Sequence, residues 1–104
     1  MAQFDVYLNP NPVSKKYAPY LLDIQNDLFE SLTTRVVIPL FSAKSMRTPV
    51  SKLNPEFNIN GKKVYMSTAE IAGIPQSAVG KYVCSLSFHR TQIINALDFL
   101  ISGF

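Results

Sequence analysis

The chain has 104 residues, 47% of them hydrophobic and 16% charged, with a net charge of +3. That is the size and apolar content of one folded domain; it excludes a disordered chain, and the charge falls short of a dedicated nucleic-acid binder. A single cysteine, Cys84, excludes an internal disulfide and a cysteine-based metal site, and predicts a reducing, cytoplasmic setting.

In chain order, the opening "MAQFDVYLNPNP" lacks a signal-peptide pattern, and no later stretch has the length of a membrane span. Residues 3–9 alternate, with Phe4, Val6 and Leu8 on one side and Gln3, Asp5 and Tyr7 on the other, which predicts a strand. The proline-rich "PNPVSKKYAP" reads as a loop. Residues 20–25 and 34–40 predict two more strands, and Pro39 places the end of the second at an edge or a bulge.

After a polar loop, "FNINGKKVYM" sets Asn60 and Gly61 between two alternating runs. This is the chemistry of a two-residue type I′ hairpin, with Phe57 facing Val64. "AEIAGIP" and "GKYVCSL" suggest short strands, and "STAE" alternatively caps one helical turn. From Ser87, a candidate N-cap, the period changes to helical. Ile93, Ile94, Ala96, Leu97, Leu100, Ile101 and Phe104 form one broad face opposite Thr91, Asn95, Asp98 and Ser102. Short strands followed by one helix predict a small antiparallel barrel with a helix packed on it, a single domain over 1–104. The barrel takes about 1–86 and the helix about 87–103.

The residues assemble no recognisable catalytic set. The one histidine, His89, falls in the first helical turn and reads as a structural or surface residue. Cys84 has apolar neighbours and reads as a small buried hydrophobe. The glycines are scattered, and Asp23, Asp27 and Glu30 lack metal-ligand spacing, so they read as solvated loop residues. No metal or other cofactor is expected. Lys15, Lys16, Lys62 and Lys63 fall in predicted turns; they either keep the chain soluble or present a landing surface for an acidic partner. Gly103 stands where a helix C-cap belongs, and Phe104 follows it, either as a last core residue or as an exposed tip.

The segments "FDVYLN", "YLLDIQNDLFESLTTRVVIPLFSA", "NINGKKVYM", "AGIP" and "LSFHRTQIINALDFLISGF" together resemble the CcdB family of plasmid and chromosomal toxins. "DIQND", "RVVIPL" and the terminal helix ending in glycine and an apolar residue are the most specific parts. The resemblance implies an SH3-like barrel of the kind shared with Kid and MazF toxins, a C-terminal helix and a homodimer. It implies a non-enzymatic toxin that binds the A subunit of DNA gyrase and traps the complex with cleaved DNA. A CcdA-like antitoxin would neutralise it through a disordered segment. The pair would repress its own operon, with operator DNA held by the antitoxin.

Carried over residue by residue, the gyrase contacts implied are Ser102, Gly103 and Phe104, with Asp98 and Ile101 one turn earlier, and Leu28 and Phe29 after the second strand. Arg35, Lys44, Arg47 and Lys52, in or beside the central loops, are the candidates for the antitoxin. One departure stands out. The family pattern has a tryptophan, stacked on a gyrase arginine, where this chain has Ser102. Losing such a contact costs up to about 2 kcal/mol, some 30-fold in affinity.

Overall fold

A computed structural model of the chain describes residues 1–103. Among them are seven strands: β1 (Asp5–Leu8), β2 (Tyr20–Asp23), β3 (Thr34–Ser42), β4 (Glu56–Ile59), β5 (Lys62–Met66), β6 (Ala72–Pro75) and β7 (Tyr82–Ser85). One helix, α1 (Arg90–Ser102), follows. All strand pairs are antiparallel, in the order β4-β5-β3-β2-β1-β7, with β6 also on β3. The result is an antiparallel half-barrel with one C-terminal helix, in line with the small antiparallel barrel and packed helix expected from the sequence.

β3 is the longest strand, and it has three partners. One of its sides pairs with β2; the other pairs with β6 at residues 34–37 and with β5 at residues 40–42. Pro39, which has no N–H to donate, sits where that second partner changes. The hairpin joining β4 and β5 turns at Asn60 and Gly61, with φ of 51° and 84°, as type I′ requires. Phe57 faces Val64 as expected. "STAE" forms a single 3-10 turn, Thr68–Glu70, in which the Ser67 hydroxyl donates to Glu70 Oε2 at 2.6 Å.

One face of the sheet makes the main core. Val6, Leu22, Ile38, Leu40, Ile59, Val64 and Met66 are all but sealed from solvent there, and Ile93 and Ala96 of α1 close over them. The opposite face is covered as well. Tyr7, Leu21 and Val37 are buried on it, beside an ion pair of Asp23 and Arg35. β1 therefore departs from the simple alternation: Tyr7 is buried with Val6, whereas Leu8 is 43% exposed.

The helix also starts later than expected. Ser87 does not cap it; a 3-10 turn, Ser87–His89, intervenes, and the Ser87 N–H donates to the Ser85 hydroxyl at 3.1 Å.

Candidate functional site

Helix α1 is held at its start and free at its end. Ile93 and Ala96 are fully buried, Ile94 and Leu97 partly, and Asn95 and Asp98 face solvent. Leu100 lies seven residues after Ile93, nearly in line with it on a 3.6-residue helix, yet it is 36% exposed. The last turn therefore overhangs the sheet. Ile101 is 85% exposed there, which corrects the broad apolar face read from periodicity: the stripe is right, but among the described residues its far end lies off the core.

The overhanging end is nevertheless well formed. Gly103 adopts the left-handed conformation (φ 81°, ψ 14°) and its N–H donates to the Phe99 carbonyl at 2.9 Å, the cap a glycine supplies without strain. The Ser102 hydroxyl donates back to the Asp98 carbonyl at 2.7 Å. Its polar group is thus engaged within the helix. Phe104, the last residue of the predicted set, lies outside the described residues.

Leu28 and Phe29 form a second apolar display, 83% and 53% exposed. They sit on a 3-10 turn, Asp27–Phe29, whose first N–H groups are organised by the Asn26 side chain accepting from Leu28 N–H at 2.9 Å. The turn is fastened through Gln3: its N–H donates to Asp27 Oδ1 at 2.8 Å, and its side-chain oxygen accepts from Arg90 Nη1 at 3.1 Å. Arg90 begins α1, and the helix is 13 residues long. Along α1 the tip lies about 18 Å beyond that fastening. The turn is thus tied to the opposite end of the helix from Ile101 and Ser102.

The four basic candidates divide. Lys44, Arg47 and Lys52 are exposed on the loop between β3 and β4. Lys52 shares a groove of about 400 Å³ with Asp98, Asn95 and Gln92, so one antitoxin candidate and one gyrase candidate line the same surface. Arg35 does not belong with them. It is 1% exposed within β3, and its Nε and Nη2 donate to Asp23 Oδ2 at 3.1 and 2.5 Å.

Asp23, expected in a solvated loop, is fully buried in β2, and its other oxygen accepts from the Gln25 N–H at 3.0 Å. Burial raises the Asp23 pKa, and the Arg35 hydrogen bond opposes it. In the register, Asp23 stands opposite Val37. Arg35, two residues before Val37 on the same face, is its diagonal neighbour.

His89 is exposed, with its ring 5.3 Å from that of Phe57 and 6.0 Å from that of Phe88. Cys84 is half-buried, and burial pushes its thiol pKa up. No group of three or more metal-ligating side chains occurs among the described residues, and no helix there is long and apolar enough to cross a membrane. Sequence reasoning passed over Phe88, which is 96% exposed. Its signal was masked: Cys84, Leu86 and Phe88 alternate with Ser85, Ser87 and His89, so the ring reads as one more apolar strand position.

The fold recurs among solved structures. One is described as an endoribonuclease in complex with its cognate antitoxin from Mycobacterial species. It superposes with a TM-score of 0.74 over 94% of this chain and 91% of that one, at 15% identity, a likeness of fold alone. The family model for CcdB protein matches residues 3–103, nearly the whole sequence. The chain belongs to the CcdB family of toxin–antitoxin toxins.

Proposed function

We propose that this protein is a toxin that binds the A subunit of DNA gyrase through the tip of α1 and holds the enzyme on cleaved DNA. It acts as a binding protein rather than an enzyme, as a homodimer in the cytoplasm, and a CcdA-like antitoxin neutralises it. The observation that carries the gyrase half is Ile101, 85% exposed on an overhanging but firmly capped helix end beside Ser102 and Gly103. A rigid apolar display loses little conformational freedom on binding. Leu28 and Phe29 offer a separate apolar patch at the other end of α1, and Phe104 completes the expected set. Lys44, Arg47 and Lys52 are left for the antitoxin.

The binding-protein reading also draws support from where the candidate catalytic groups lie. RNA cleavage needs positioned acid–base groups and a cation for the phosphate. Arg35 is committed to a buried pair with Asp23, and His89 is set against aromatic rings.

A second reading has its own observation. Ser102 replaces the family tryptophan, and its hydroxyl is folded back on the Asp98 carbonyl. A chain that keeps its antitoxin but has lost gyrase would look like this.

The test incubates purified protein with gyrase from its own host, supercoiled plasmid and ATP, followed by denaturation and protease. Linear DNA that disappears when residues 102–104 are deleted supports poisoning through the tip. Absence of linear DNA favours the second reading. Cleavage of RNA by the purified protein, lost in His89→Ala, would overturn both.

A further inference from the structure

The sequence left Lys15 and Lys16 between solubility and a landing surface for an acidic partner, and the structure sets a third lysine, Lys81, in one cleft with them. A broad cleft of about 690 Å³ opens between the loop after β1 and the turn before β7. Leu8, Pro10 and Pro19 contribute apolar surface to it, and Lys15, Lys16 and Lys81 supply its charge. Among the described residues, no carboxylate lines it. Among the described residues, none of the three lysines forms an ion pair within 4.0 Å.

Both walls are fixed. On one side the Leu8 carbonyl accepts from Gly80 N–H at 3.0 Å, and the Leu8 N–H donates to the Lys81 carbonyl at 2.8 Å. The backbones approach so closely that a Cβ on Gly80 would stand 2.6 Å from the Leu8 oxygen. On the other side, the Asn9 side-chain amide donates to Ser14 Oγ at 2.9 Å and to the Ala18 carbonyl at 2.8 Å, while Asn11 Oδ1 accepts from Val13 and Ser14 N–H. The lysine-bearing turn, Ser14–Lys16, is thereby built in place before any partner arrives.

We propose that this cleft docks an acidic, extended segment of a partner protein, with its carboxylates on Lys15, Lys16 and Lys81 and an apolar side chain on Leu8, Pro10 and Pro19. Charge complementarity selects the acid, and the apolar floor selects a peptide over a phosphate backbone, which has no apolar group to set there. The Ser42 N–H donates to the Tyr17 carbonyl at 2.9 Å, bringing the turn that carries Lys44 beside the one that carries Lys16. The cleft thus deepens the antitoxin half of the reading above and rests on it for the source of the segment.

The probe is a fluorescent synthetic peptide in which glutamates and aspartates flank leucines, titrated by anisotropy at low salt. The variant Lys15→Gln/Lys16→Gln/Lys81→Gln is expected to bind at least about fivefold more weakly. Lys62→Gln/Lys63→Gln, exposed lysines on the hairpin, is expected to bind as the unmodified protein does. The proposal is overturned by no measurable binding, by equal loss in both variants, or by duplex DNA displacing the peptide through the same lysines. Such a failure would leave the antitoxin reading intact, because that reading is judged separately by growth rescue on coexpression of the antitoxin.

Discussion

The two faces of the sheet are buried by different means. The face under α1 is apolar throughout and closed by Ile93 and Ala96. The other carries a charged pair, Asp23 with Arg35, alongside Tyr7, Leu21 and Val37. An apolar face tolerates small errors of fit, each with a graded cost. A buried ion pair is stable only while both members are present, since either one alone is an uncompensated charge out of water.

The sharpest test of that difference removes one member. Asp23→Ala should lose about 3–5 kcal/mol in urea unfolding, whereas Asp23→Leu with Arg35→Met should come back to within about 1 kcal/mol of the starting protein. A double variant no more stable than the single one would mean that the pair is needed for reasons beyond charge.

The next effect lies on the same face. Burial, and then the nearby Asp5, push the Tyr7 phenol from 10.0 up to about 12. The folded chain holds this proton where the unfolded chain releases it, so the associated stability is complete below pH 10 and is lost as pH rises towards 12. A shift of that size corresponds to about 2–3 kcal/mol. Thermal melts across this range should fall less steeply for Tyr7→Phe.

On the apolar face, Ile93→Val should cost only about 1 kcal/mol, because one methylene is lost from a site that can partly close. The smallest effect on stability belongs where that face runs out. Ile101→Ser should change unfolding by less than about 0.5 kcal/mol while abolishing gyrase-dependent linear DNA. A variant that remained a full poison would move the working surface away from the tip.

These contrasts were unevenly visible in the sequence. The hairpin at Asn60 and Gly61 could be read directly, because positive φ at both turn positions restricts which residues serve. The buried stripe of α1 was legible from Ile93 and Ala96. Its overhang was not, since periodicity records which side of a helix is apolar but not where the neighbouring sheet ends. Asp23 and Arg35 were misplaced for a related reason. Each looks solvent-seeking alone, and only the β2–β3 register puts them together. The lysine cleft was half legible: Lys15 and Lys16 adjoin in sequence, but Lys81 reaches them only because the turn before β7 is pinned to Leu8.

β3, with its three partners, also governs how the chain acquires its structure. Its first half mates with β6, its end with β5, and its middle residues, 37–40, with β2, a strand already passed. β1 and β7 meet across an even longer interval, with Val6 opposite Cys84. Pairings so distant along the chain reward the search only after most of the loop entropy has been surrendered, which slows folding relative to a helical protein of the same size. Until β3 has found its neighbours, the Asp23 and Arg35 charges remain in water and α1 has no apolar floor. Both faces therefore depend on the same strand, and α1 is anchored at its start, by Ile93 and Ala96, only once that strand is in place.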